Sequence, residues 1–250
     1  MTVLEKAERL LQAYRDGKLG GERLPEDANP GLPADAREHY LYLTLPMALN
    51  YQRSAYALWE SALATYLDPL TSFVFDPKEC VSQPFEAIQQ ALVKHRLALQ
   101  KVKQTEIWIA LCQTFLERFD GDVRRLFSQN EYSVKKIRIY MQKEHKKEFP
   151  YLSGNKIFNY WLNVLHQYTD LQTVDPNEIT VAPDTHVCKA SLQLGLIDQK
   201  EYLSSNVQTV VAERWREVFE GTNHRCIDIH TPLWLWSRAG FPDIFKNPPA

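Results

Sequence analysis

Apolar residues along this chain recur every three or four positions over long stretches, a spacing that predicts helices rather than strands. Leu4, Ala7, Leu10, Leu11 and Tyr14 form one such stripe within a charged, amphipathic segment. Residues 18–36, GKLGGERLPEDANPGLPAD, are rich in glycine and proline and read as a connecting loop. A helix is expected to begin near Ala34 and to break at Pro46. Another runs through Tyr51, Ala55, Leu58, Trp59, Leu63 and Tyr66, and Pro69 stops it. FDPKECVSQP reads as a second loop, with Asp76-Pro77 as its turn. Helices are then expected at about 84–102, 105–119, 121–129 and 133–147.

The helices on either side of Pro150–Gly154 read as a helix–hairpin–helix. TDLQTVDPNEITVAP has the length of a loop that joins two lobes. Further helices are expected from Asp184 to about Leu194, from Gln199, around 207–219, and from Thr231 to Ala239. The chain therefore reads as an all-α fold with two lobes. One lobe spans 40–170 and ends in the helix–hairpin–helix; the other combines 1–39 with 171–250.

Composition narrows the function. With 250 residues, 44 % hydrophobic and 12 % aromatic, the chain can bury a substantial core. Its net charge of −2 means that nucleic-acid contact would have to come from a local basic face. The one dense basic cluster is Lys135, Lys136, Arg138, Lys143, His145, Lys146 and Lys147. By charge counting alone this is equally the solvated face of an amphipathic helix.

The four cysteines, Cys80, Cys112, Cys188 and Cys226, form no CxxC pair, which argues against a zinc ribbon and for free thiols in a reducing compartment. His186 and His230 lack companions at metal-ligand spacing, so no metal and no cofactor are expected. There is no signal-peptide pattern and no apolar run of membrane-spanning length. The expected protein is a soluble, cytoplasmic monomer without a membrane partner, associated with the nucleoid if the cell is bacterial. A phosphate-binding Walker loop, a dinucleotide fingerprint and a GxSxG elbow are all missing.

Two residues offer chemistry. Lys156 stands in the first turn of the helix after Gly154, where the helix dipole disfavours a cation and so favours the free, nucleophilic amine. By position alone the ordinary reading is a solvated surface lysine. Asp184 follows Pro183 and precedes an apolar-periodic run, so it reads as a helix N-cap. A carboxylate fixed there can also stabilise an oxocarbenium ion, as glycosidase carboxylates do.

Taken together, these segments resemble a family. Tyr151-Leu152-Ser153-Gly154-Asn155-Lys156 and Ala182-Pro183-Asp184-Thr185-His186-Val187 are similar to two motifs of the helix–hairpin–helix DNA glycosylases, the superfamily of endonuclease III and 8-oxoguanine DNA glycosylase. The motifs are a hairpin close to L-P-G-V-G-x-K and a later V-D-T-H or V-D-V-H. The resemblance implies Lys156 as the Schiff-base lysine and Asp184 as the catalytic aspartate, in a cleft between two lobes. Leu49-Asn50-Tyr51-Gln52 resembles the family's L-S-x-Q segment, so Asn50 and Gln52 would fill the space of an extruded base. Cys226–Phe241 resembles the last helix of several subfamilies.

Ser153, Gly154 and Asn155 would offer backbone amides to a phosphate, with Lys136, Arg138, Lys143 and Lys147 supplying charge. Leu152 departs from the pattern by replacing the first hairpin glycine, and the cluster of four cysteines is missing. The implied activity is base excision from damaged double-stranded DNA with associated strand cleavage. Two alternatives stand beside it. The chain also distantly resembles the queuosine-salvage glycosylases, N-glycosidic hydrolases of a free modified nucleoside or nucleotide, and it could be a non-catalytic nucleic-acid-binding member of the fold.

Overall fold

A computed structural model of the chain describes residues 1–20 and 23–245. All regular structure among them is helical. In chain order the helices are α1 (Val3–Arg15), α2 (Arg37–Thr44), α3 (Ala55–Leu67), α4 (Pro77–Ser82), α5 (Phe85–Lys94) and α6 (Lys101–Phe119). They continue with α7 (Val123–Gln129), α8 (Val134–Ile139), α9 (Asn155–Tyr168), α10 (Thr185–Leu194), α11 (Gln199–Tyr202), α12 (Val207–Phe219) and α13 (His230–Arg238). None of the described helices is long and apolar enough to cross a membrane. The four cysteines are free and buried.

The chain divides into two compact units, Arg23–Pro176 and Met1–Glu22 with Asn177–Ala250. The boundaries fall at different positions from the expected 40–170 and 1–39 with 171–250, and side-chain bonding accounts for this. Residues 23–28 are held to the larger unit by Tyr56 Oη on Arg23 O, Trp59 Nε1 on Glu26, Tyr168 Oη on Asp27 and Tyr42 Oη on Ala28 O. At the other end Tyr40 Oη donates to Asp170, and the Asp175 carboxylate takes the first amides of α8.

The core of the larger unit is aromatic. Tyr42 stacks on Phe75, Phe75 meets Trp108 edge to face, and Phe127 packs on Trp161. Each fully buried indole finds an acceptor, as Trp108 does at Val74 O and Trp161 at Thr44 Oγ1. On α9, Ile157, Trp161, Val164 and Leu165 are buried at helical spacing, and Phe158, Leu162 and the polar Asn159 and Asn163 are buried beside them. The smaller unit packs Ala7, Leu10 and Leu11 of α1 with Val187, Ala190, Leu194, Trp215 and Leu233. Lys6 Nζ donates to Leu194 O and satisfies the C-terminal end of α10, which closes on Gly195 at φ +80°.

Four local expectations need correction. Asp76-Pro77 is a helix start and not a turn: Asp76 accepts the amides of Lys78 and Glu79, and Pro77 takes the first helical position of α4. The helix expected from Tyr51 begins at Ala55 instead, because Gln52 turns the chain at φ +52°.

The break expected after residue 102 lies at 95–100. There Arg96 adopts φ +61°, Arg53 donates to the carbonyls of Arg96 and Leu97, and Gln104 Oε1 accepts the amides of Leu99 and Gln100. The helix expected over 133–147 is not one α-helix. After α8 it widens into a π turn, Tyr140–Glu144, with His145 N bonded to Tyr140 O, and then tightens into a 3₁₀ turn at Lys146–Glu148.

Candidate functional site

The turn before α9 is built on two buried side chains, Phe149 and Leu152. Leu152 N donates to Pro150 O, Ser153 N to Phe149 O and Gly154 N to Tyr151 O. Leu152, the departure from the hairpin pattern, is thus a core anchor. The amides of Ser153 and Gly154 are engaged inside the turn and do not face outward as expected. The amides of Asn155, Lys156 and Ile157 form the first turn of α9, which leaves them without intrahelical acceptors, and Gly154 provides no side-chain cap. Gly154 sits in a close approach: a Cβ there would stand 3.1 Å from Tyr151 O.

Lys156 is the second residue of α9 and is half-buried. Its ammonium has no hydrogen-bond or ion-pair partner among the described residues. Asn159, one turn on, is buried and donates to Asn155 O and Oδ1. Its Oδ1 lies 3.4 Å from Arg138, whose guanidinium lies 5.4 Å from the centre of the Phe158 ring. Arg138 therefore ties α8 to the helix of Lys156. Lys136 pairs with Glu131 at 2.6 Å, while Lys143 and Lys147 are exposed on the π and 3₁₀ turns.

The Asn50 and Gln52 segment is brought to the hairpin. Asn50 caps the short 3₁₀ turn Pro46–Leu49, and Gln52 is exposed. Between them Tyr51 stacks on Tyr151, with ring centres 4.3 Å apart.

Sequence reasoning missed Glu26, a carboxyl only 2 % exposed. Its Oε1 accepts from Trp59 Nε1 at 2.9 Å and from Tyr160 Oη at 2.7 Å. Burial raises its pKa, opposed by the hydrogen bond from Tyr160. Tyr160 lies one turn beyond Lys156 on the same helix face, so α9 carries both a half-buried amine and a phenol bonded to a buried acid. No local signal marks Glu26, because PEDANP reads as an ordinary turn sequence.

In the smaller unit Asp184 is the N-cap of α10. One carboxylate oxygen accepts Val187 N at 2.8 Å; Asp184 itself is half-buried. His186 Nδ1 lies 3.1 Å from Ser237 Oγ, and the Arg238 guanidinium lies 4.6 Å from the Trp234 ring centre. His230 is buried and accepts Ala182 N at 3.4 Å. Among the described residues no group of three or more His, Cys, Asp or Glu side chains is placed to hold a metal ion. Comparison of the chain with models of known families and with curated proteins finds no match.

Proposed function

We propose that the protein is a DNA glycosylase with associated strand-cleaving activity, in which Lys156 is the nucleophile and Asp184 the charge-stabilising carboxylate. The observation that carries this reading is Lys156 itself. It is a half-buried lysine with no ion-pair partner among the described residues, and it sits in the first turn of α9. A damaged nucleotide is first extruded from the duplex. The Nζ lone pair attacks C1′ as the C1′–N bond breaks, and the base leaves with that electron pair and takes up a proton. The Asp184 carboxylate offsets the positive charge developing on the sugar. Opening of the C1′–O4′ bond yields an imine to Lys156; loss of a C2′ proton then expels the 3′ phosphate by β-elimination.

A second reading, hydrolysis of a free modified nucleoside or nucleotide, is favoured by two observations. The net charge is −2, and the amides of Ser153 and Gly154 are engaged within the turn. Sodium borohydride trapping on lesion-bearing and abasic oligonucleotides tests the first reading, because reduction fixes the imine covalently. A protein that gives no adduct and no excision on DNA, yet releases base from a free nucleotide, belongs to the second.

A further inference from the structure

Tyr151 occupies a conformation that asparagine and glycine take readily and tyrosine rarely, with φ at +61°. It nevertheless keeps its ring at the surface, 36 % exposed, and Tyr51 stacks beneath it with planes 14° from parallel. The two residues come from turns distant in sequence, and Gln52 beside Tyr51 is also left-handed. Lys103 Nζ lies 5.2 Å from the Tyr151 ring centre and 5.8 Å from that of Tyr51. The amides of Gln52 and Gln100 lie 3.5 Å apart, and Tyr51 Oη is 3.5 Å from Gln100. Leu99, Lys101 and Val102 are exposed along the same segment as Lys103.

Strain kept at an exposed aromatic residue points to a role for its side chain. A rigid aromatic surface, bordered by amides that both donate and accept and by a cation, has the chemistry of a nucleotide site. The base stacks, its edge meets amides, and the phosphate meets the ammonium. The geometry points to Tyr151, supported by Tyr51, as a stacking site for one unpaired nucleobase of a bound strand, with Lys103 at the neighbouring phosphate. This site uses residues other than Lys156 and rests on the reading of the protein as a nucleic-acid enzyme.

The test uses the full chain and two probes: a single-stranded oligonucleotide carrying one 2-aminopurine, and a duplex with 2-aminopurine opposite a stable abasic analogue. Wild-type protein should quench the fluorescence on binding. Tyr151→Asn, which suits the left-handed backbone, should lose the quenching and bind about tenfold more weakly. Tyr151→Phe should retain both properties. Lys103→Gln should keep the quenching and lower the salt slope by about one.

If Tyr151→Asn has a lowered unfolding temperature, Tyr51→Leu takes its place, with the same loss expected. Folded variants with wild-type quenching and affinity would overturn the stacking site. Trapping assays on the same preparations separate the two ideas. Tyr151-dependent quenching without trapping removes the glycosylase reading and leaves the stacking site, whereas trapping with quenching indifferent to Tyr151 does the reverse.

Discussion

Tyr160 Oη donates a 2.7 Å hydrogen bond to the buried carboxyl of Glu26, on the same face of α9 as Lys156. The bond joins a turn near the start of the larger unit to the helix that carries the proposed nucleophile. Trp59 Nε1 reaches the same oxygen, so the acid is held by two donors at once.

Glu26 makes stability depend on pH in a defined direction. Its folded pKa is raised, chiefly by burial, so its contribution is fully present below the ordinary glutamate value of about 4.3 and is lost as pH rises through the folded pKa. Glu26→Gln keeps the acceptor oxygen and cannot ionise, so it should not show this fall. Glu26→Ala leaves the buried Trp59 Nε1–H without its acceptor, which should cost about 1–3 kcal/mol, and removes one acceptor of the half-buried Tyr160 phenol. Denaturant unfolding across this range of pH checks both. Parallel wild-type and Glu26→Gln profiles would show that the acid does not titrate with folding.

Lys156→Ala should abolish borohydride trapping and leave the unfolding temperature within a few degrees of wild type, because the ammonium has no partner among the described residues to lose. An adduct formed by the alanine variant with abasic DNA would assign the nucleophile elsewhere.

Asp184→Asn separates the cap from the chemistry. Asparagine caps a helix about as well as aspartate, so stability should fall by no more than about 1 kcal/mol. Base excision should drop by orders of magnitude, since the amide carries no charge to oppose the oxocarbenium ion. Imine formation at a preformed abasic site should suffer less, because no glycosidic bond remains to be broken. Single-turnover excision at an unchanged rate would leave Asp184 as a cap only.

The basic residues divide by their surroundings. Lys143 and Lys147 are exposed, and replacing both with glutamine should lower the salt slope of duplex binding by about one for each phosphate no longer neutralised, with little change in stability. Lys136→Gln should also cost little stability, since its pair with Glu131 is an exposed one. Arg138→Gln should weaken folding as well as binding, because its guanidinium packs over Phe158 and reaches Asn159. A salt slope unmoved by the double substitution would favour the free-nucleotide reading.

The sequence by itself determined those features that one short segment encodes. The apolar spacing of Leu4 to Tyr14 marks the buried face of α1, because a helix buries residues three and four apart whatever it packs against. Pro183-Asp184 before an apolar run marks the cap of α10, because capping involves only the next three residues.

The tertiary structure decided what depends on partners far along the chain. Gln104 and Arg53 place the helix break at 95–100 through bonds that no local pattern announces. Tyr42, Trp59, Tyr160 and Tyr168 draw residues 23–28 into the larger unit and bury Glu26 there, although the segment reads as a loop. The Tyr51–Tyr151 stack sets the Asn50–Gln52 turn against the hairpin across most of that unit's sequence. Periodicity records which face of an element is buried. The partner that buries it is fixed only when the whole chain has packed.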